Sequence, residues 1–439
     1  EVATWLQKVN RHQFKAKDFH ELVDCPLIAS ATLQHHQYFV NNIPFHIWLQ
    51  GECKPDWKRI SKDFEAFTKE QLLTMTSFPA NEYHYLVQVL PYRMYHGVEH
   101  FNSTVIAIGP GYNLMKGDTY TDFLGVNSHE LFHAWNIKAI RPVEMFPYDY
   151  TKENYSRLGY VAEGVTTYYG DLFLIRSGVF DTDQYFEELN QRFQRHFDNF
   201  GRFNMSVAEA SFDTWLDGYV PGIPNRKTSI YDEGSICALM VDLKIRKVTD
   251  NEKSLDDVMR TLYQDFALQN KGYSEADYKM LLEDISGISF DNFINKYING
   301  TDSFEEEINE VLNYAGLELV KNAAKNISER NFGFKTIQEA GFLKISAIVP
   351  GSVADQAGLS KDDEIFSVNG FKIENNLNDW LTYFENQPIN LRVFSQKRER
   401  TIEIKPSSET FYHQIKVKKQ EKVNDSQKEF FKKWLKVEF

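Results

Sequence analysis

His129 and His133 stand four residues apart, with Glu130 between them. That spacing puts two imidazoles on one helix face, one turn apart. Two histidines so placed can grip one Zn²⁺, and the intervening glutamate is positioned to activate a water molecule. A catalytic zinc takes three protein ligands and keeps a position open. Glu163 is the strongest candidate for the third. It lies in the run Val161-Ala162-Glu163-Gly164-Val165-Thr166-Thr167-Tyr168-Tyr169, whose apolar and aromatic neighbours suit a solvated carboxylate poorly. Asp149, Glu144 and Asp171 are weaker candidates on the same logic. Glu130 is expected to act as general base and then to pass the proton to the leaving group. The developing oxyanion needs a further donor, for which a tyrosine hydroxyl serves. With 23 tyrosines in the chain, spacing alone does not choose one.

The elements that must place these residues follow from periodicity. Leu124 to Ile137 reads as a helix carrying both histidines, broken by Arg141-Pro142 and Pro147. Leu158 to Ser177 reads as a second helix, carrying Glu163. Before them, residues 28–33, 37–40 and 44–49 are strand-like, and 56–75 is helical. Residues 83–90 and 104–108 read as strands flanking a polar turn region. From Asp181 to about Leu317 the pattern is almost wholly helical, interrupted by a Gly/Pro-rich loop at Asp217 to Pro224. Beyond a polar linker at 321–330, strands are expected at 342–349, 364–368, 391–395 and 401–404, with a short helix at 376–384. Phe430, Phe431, Trp434 and Leu435 recur at helical spacing, which predicts a packed strand-and-helix tail.

At 439 residues, with 42% hydrophobic and 15% aromatic side chains, the chain has material for two or three packed units. A formal charge of −13 argues against a nucleic-acid partner, because phosphate would be repelled. No stretch has the apolar length of a membrane span. Cys25, Cys53 and Cys237 are too few and too scattered for a disulfide framework or a CxxC metal site. There is no GxSxG elbow and no Gly-rich phosphate loop to support other chemistries. With Glu at position 1, the chain start reads as processed or trimmed, and the compartment stays open between cytoplasm and periplasm.

The run His129-Glu130-x-x-His133-Ala134-Trp135-Asn136-Ile137-Lys138-x-Ile140-Arg141-Pro142 resembles the signature of the glycyl aminopeptidase family of gluzincin metallopeptidases, which usually carry a PDZ domain. Glu163-Gly164-x-Thr166-x-Tyr168-Tyr169 is similar to that family's third-ligand helix. Gly97-Val98-Glu99-His100-x-x-Ser103 is similar to its substrate-strand motif, and Leu22-Val23-Asp24-Cys25-Pro26 to the start of its catalytic domain. The resemblance implies zinc on His129, His133 and Glu163, with Glu130 as base. It implies that Glu99 holds the free α-amino group of a peptide while the strand around Gly97 pairs with the peptide backbone. Tyr231-Asp232-Glu233-Gly234 resembles the Tyr-x-Lys-Gly segment of gluzincins, which implies Tyr231 at the oxyanion, with Glu233 replacing a basic residue. The implied activity is removal of small first residues, Gly or Ala, from peptide substrates.

Near Asn331 the pattern changes. Asn331-Phe332-Gly333-Phe334, Pro350-Gly351-Ser352-Val353-Ala354-Asp355-Gln356-Ala357-Gly358-Leu359 and Asp363-Glu364-Ile365-x-x-Val368-Asn369-Gly370 resemble a PDZ domain. Phe332, Gly333 and Phe334 would then form the loop whose amides capture a peptide C-terminus. The expected architecture is α+β. A thermolysin-like zincin domain with a β-rich and a mainly helical lobe spans 25–320, and a small PDZ β-barrel-like domain spans 326–408. A short remnant or lead-in segment at 1–24, where members of the family usually carry a sizeable β-rich domain, and a tail at 409–439 complete it.

Overall fold

The structure, a computed structural model, describes residues 1–217 and 223–439. The Gly/Pro-rich loop expected at 217–224 falls mostly on 218–222, outside the described residues.

The first lobe is built on a five-stranded sheet in the order Gln34–Val40, Ile43–Gln50, Tyr83–Val89, Ser103–Gly109, Met94–His100. The second, third and fourth of these run parallel, and the outer pairs are antiparallel. Phe45, Ile47, Leu49, Tyr83, Tyr85 and Val87 alternate onto one face and are fully buried. Helix Trp57–Met75 packs Phe64 and Phe67 into the same core. Met94–His100 corrects the expected polar turn region. Its residues are mostly exposed, since only Ser103–Gly109 flanks it in the sheet, so it lacks the apolar alternation that marks a half-buried strand.

Helix Gly117–Phe132 lies against the two last strands and against helix Thr166–Arg176 of the second lobe. It starts earlier and stops earlier than 124–137, and His133 caps its C-terminus. The expected second helix opens as a π-helical turn at Tyr160–Val165 before becoming α-helical at Thr166. The rest of this lobe is mainly helical among the described residues, and several of its helices start on reciprocal caps, such as Asp181 with Gln184 and Ser274 with Asp277.

The C-terminal unit has its own core, with Phe332, Phe334, Ile345, Val368, Leu381, Leu391 and Val393 at its centre. Its strands run in the order Phe334–Glu339, Phe342–Ile348, Glu364–Val368, Ile389–Ser395, Arg398–Ile404. It hangs on a two-stranded stem. Leu317–Ala323, expected in part as linker, pairs antiparallel with His413–Lys419. Helix Asp425–Leu435 then returns to the main core, where Phe430, Phe431, Trp434 and Leu435 are buried. Trp434 donates its indole N–H to the Tyr168 hydroxyl (2.9 Å), and its carbonyl accepts from Arg176 Nε (2.9 Å). Among the described residues no helix is long and apolar enough to cross a membrane.

The tail is therefore expected to be part of the catalytic unit's stability. Trp434→Ala should lower it by about 3–5 kcal/mol in urea unfolding. A loss within a few tenths of a kcal/mol would contradict that packing.

Candidate active site

The two histidines, Glu163, Glu130, Glu99 and Tyr231 gather at one cleft between the lobes. His133 Nε2 lies 2.9 Å from His129 Nε2. Glu163 Oε2 lies 3.5 Å from His129 Nε2 and 3.3 Å from His133 Nε2. Four-coordinate zinc with bonds near 2.0–2.1 Å has ligand atoms about 3.3 Å apart. The three donor atoms thus fit one ion. The His133 Nδ1 sits 2.7 Å from the Asn136 carbonyl, which can only accept, so Nδ1 carries a proton and Nε2, turned to Glu163, is the nitrogen left to bind a cation. The buried Glu163 Oε2 has no hydrogen-bond partner.

Electrostatics point the same way. Burial opposes charging His133, yet Glu163, Glu99 and Glu130 around it push it up to about 10. Burial pushes the Glu130 carboxyl up to about 8, against the pull of His133 and with help from Glu99 and Glu163. Three carboxylates around two imidazoles favour a cation.

Local contacts hold the geometry. The Asn136 side chain donates to the Val161 carbonyl (2.8 Å) and to Thr166 Oγ1 (3.1 Å), clamping the histidine segment to the Glu163 helix. Gly164 and Gly234 face each other so closely that a Cβ on Gly164 would lie 2.4 Å from the Gly234 backbone. That contact sets the Glu163 turn against helix Asp232–Val248, at whose start Tyr231 stands. The Tyr231 ring lies 6.5 Å, centroid to centroid, from the His129 ring. Glu233, which replaces a basic residue of the gluzincin pattern, is buried on the far side and bonded to His196 at 2.8 Å. That replacement leaves the cleft untouched.

Glu130 receives a hydrogen bond from Thr104 Oγ1 (3.1 Å). Its carboxylate lies under the exposed strand Met94–His100 at Gly97, where a Cβ would come within 2.1 Å of Glu130 Oε1. Glycine is needed there for space rather than for an unusual φ. Glu99 lies beside Glu130 and His133, their ligand atoms within 4.8 Å of one another. Just past Glu99, Asp24 accepts the Phe101 N–H (3.0 Å) and pairs with Lys138 (2.7 Å). Asp24 and Lys138 both line the cleft, a cavity of about 360 Å³ that also takes in Glu99, Glu163, Tyr231 and Arg141.

Asp149, Glu144 and Asp171 fall elsewhere. Asp149 binds Thr151, Glu144 accepts from Ser156, and Asp171 pairs with Arg192. Among the described residues one further His/Glu group, His46, Glu82 and His84, is compact enough to suggest a metal. Its imidazoles stack within 13° of parallel, so their in-plane lone pairs do not converge. Trp48 donates to His84 Nδ1 (3.2 Å), which places the proton of a neutral ring on Nε2.

In the C-terminal unit, Phe332 and Phe334 are buried, and the Gly333 N–H donates to the Ser328 carbonyl. The row of three open amides expected at this turn is thereby interrupted at its centre.

The motif residues were visible in sequence, but Asp24 and Arg141 among them carried no role until the cleft was seen, and Thr104 gained its place only through strand register. Thr104 stands opposite Glu99 across the hairpin, a pairing readable only once the edge strand is known.

Gly97→Ala is expected to leave the melting temperature nearly unchanged and to lower kcat about a hundredfold, by displacing Glu130 by about 1 Å. Unaltered kcat would show that the close approach is irrelevant to turnover.

Residues 122–237 match the M61 glycyl aminopeptidase family, and residues 313–379 match the PDZ domain. No curated protein matches the chain in sequence. An aminopeptidase N family protein from Idiomarina loihiensis has the same fold: TM-score 0.89, 24% identity, 99% of this chain and 76% of that one. An M1 zinc metallopeptidase from Deinococcus radiodurans, bound to the substrate Tyr-Ser-Ala, aligns over 62% of this chain and 52% of that one, at TM-score 0.42 and 12% identity. The fold is thus α+β, and the chain is a metallopeptidase whose residues 122–237 are similar to the catalytic domain of the M61 glycyl aminopeptidase family, with a PDZ domain towards the C-terminus.

Proposed function

We propose that this protein is a zinc-dependent aminopeptidase that hydrolyses the first peptide bond of peptides with small first residues, Gly or Ala. The observation that carries the reading is the convergence of His129 Nε2, His133 Nε2 and Glu163 Oε2 within 3.5 Å of one another, with Glu130 and Glu99 beside them. These three residues would hold the ion. When bound, zinc supplies Lewis-acid polarisation of the scissile carbonyl and acidifies water.

The chain's own residues supply the rest. Glu130, held by Thr104, takes the proton of the attacking water and delivers it to the leaving amine. Tyr231, at the helix start beside His129, donates its hydroxyl to the oxyanion. Glu99 binds the substrate's ammonium, which fixes the scissile carbonyl one residue away. The outer edge of Met94–His100 around Gly97 pairs with the substrate backbone.

Asp24 supports cleavage from the end rather than within a chain. It takes the Phe101 N–H, the next backbone donor beyond the strand, and with Lys138 walls the cleft past Glu99. The preference for Gly or Ala rests on the family likeness. For the PDZ domain we propose peptide docking along the sheet-edge strand Phe334–Glu339. The Phe332-Gly333-Phe334 turn would stand at the head of that groove, with the Phe334 amide as donor.

The test compares a good peptide substrate with its N-acetylated form. Acetylation should remove at least about 99% of kcat/KM, because Glu99 then meets no ammonium. Equal cleavage of both would make the enzyme an endopeptidase. In parallel, Glu130→Gln should retain one zinc per chain by elemental analysis and lose at least about a thousandfold in kcat. A zinc-free protein, or unchanged turnover in that variant, would overturn the mechanism.

A further inference from the structure

Two cations leave the turn that follows His133, and only one of them is neutralised. Lys138 pairs with Asp24 at 2.7 Å, both side chains being 13% exposed. Arg141 donates Nε to the Lys138 carbonyl (3.0 Å), and no carboxylate of the described residues lies within 4.0 Å of its guanidinium. Both Nη groups are left over, four N–H donors in a planar fork suited to a carboxylate. Arg141 is half-buried and lines the same cavity as Glu99, Glu163 and Tyr231. Two buried guanidinium groups of the helical lobe do have acids, Arg176 with Asp256 and Arg192 with Asp171. In a chain of net charge −13, a guanidinium facing a substrate cavity without an acid stands apart.

The cavity has two poles. One is the Glu99 carboxylate and the other the Arg141 guanidinium, both in its lining, and Tyr148 feels the charge of each. Burial raises the Tyr148 hydroxyl, Glu99 adds to the rise and Arg141 counters it. The volume of about 360 Å³ exceeds what the methyl group of an alanine needs. It has room for a second residue or for a longer first side chain.

We propose that Arg141 is the carboxylate subsite of this cleft, so that favoured substrates present an ammonium to Glu99 and a carboxylate to Arg141. This rests on the aminopeptidase reading and directs its substrate class either to short zwitterionic peptides, within the small-first-residue preference, or to peptides with an acidic first residue, which would replace that preference. In the first case the carboxylate is the substrate's own C-terminus, which fits a small first residue. In the second it is the first side chain.

The decisive experiment measures binding rather than turnover. Calorimetry on Glu130→Gln protein loaded with zinc compares Ala-Ala with Ala-Ala-amide, and Asp-Ala-amide with Asn-Ala-amide. The same four ligands are then measured in Glu130→Gln/Arg141→Met and Glu130→Gln/Arg141→Lys proteins, each checked by its thermal melt. A charge-assisted bidentate contact predicts a preference of about tenfold or more for the carboxylate in at least one pair. Arg141→Met should reduce that preference to about one, and Arg141→Lys should keep part of it. The first pair responding assigns the C-terminus, and the second the acidic side chain. No preference in either pair, or a preference that survives Arg141→Met, overturns the subsite. Should the wild-type enzyme cleave N-acetylated peptides as well as free ones, the aminopeptidase reading fails while the binding ratios still decide the role of Arg141.

Discussion

Bringing two imidazoles and three carboxylates into one largely buried cluster is unfavourable unless positive charge is supplied among them. The site is organised around that constraint. His129 Nε2, His133 Nε2 and Glu163 Oε2 sit at the mutual spacing of ligands on one small cation, and the Glu163 oxygen has no other partner. Each neighbouring feature keeps those atoms from relaxing apart. The Asn136 amide joins the histidine segment to the Glu163 helix, the Gly164–Gly234 contact fixes that helix against the Tyr231 helix, and Gly97 lets the edge strand lie directly on Glu130. The π-helical turn at Tyr160–Val165 belongs to the same design, since such turns redirect a side chain without ending the helix.

Direction along the cleft comes from less symmetric features. The strand Met94–His100 offers an open edge, but Asp24 takes the Phe101 N–H just past its end. The lead-in segment, whose sequence carries little periodicity, thereby helps shape the cleft wall. The PDZ domain is mounted differently. It is inserted between two strands, Leu317–Ala323 and His413–Lys419, whose continuation, helix Asp425–Leu435, is buried in the catalytic core. Its attachment is therefore at two points, on a stem that belongs to the peptidase.

Much of the site was legible from the chain because its residues fall in short local blocks. His129, Glu130 and His133 share one turn of helix, and the Glu163 helix has an apolar context that a solvated acid lacks. The limits of these elements were not legible. His133 proved to be a helix cap, and residues 94–100 a strand, because edge position and capping depend on neighbours remote in sequence. Glu233 departed from the gluzincin pattern, and only packing shows that it faces His196 and not the cleft. Arg141 stood in the sequence only as part of the helix-breaking Arg141-Pro142 pair, and its place in the cavity lining comes from the fold. The open row of amides at Phe332-Gly333-Phe334, implied by the PDZ resemblance, is interrupted by the turn's own Gly333–Ser328 bond.

The central claim is that one zinc ion sits between His129, His133 and Glu163. Anomalous diffraction from crystals of the protein grown with equimolar zinc, recorded on both sides of the zinc absorption edge, tests it most directly. The account predicts a single strong peak about 2.0–2.2 Å from each of the three donor atoms. A peak at His46 and His84 instead, or no ordered peak between the three residues, would contradict it.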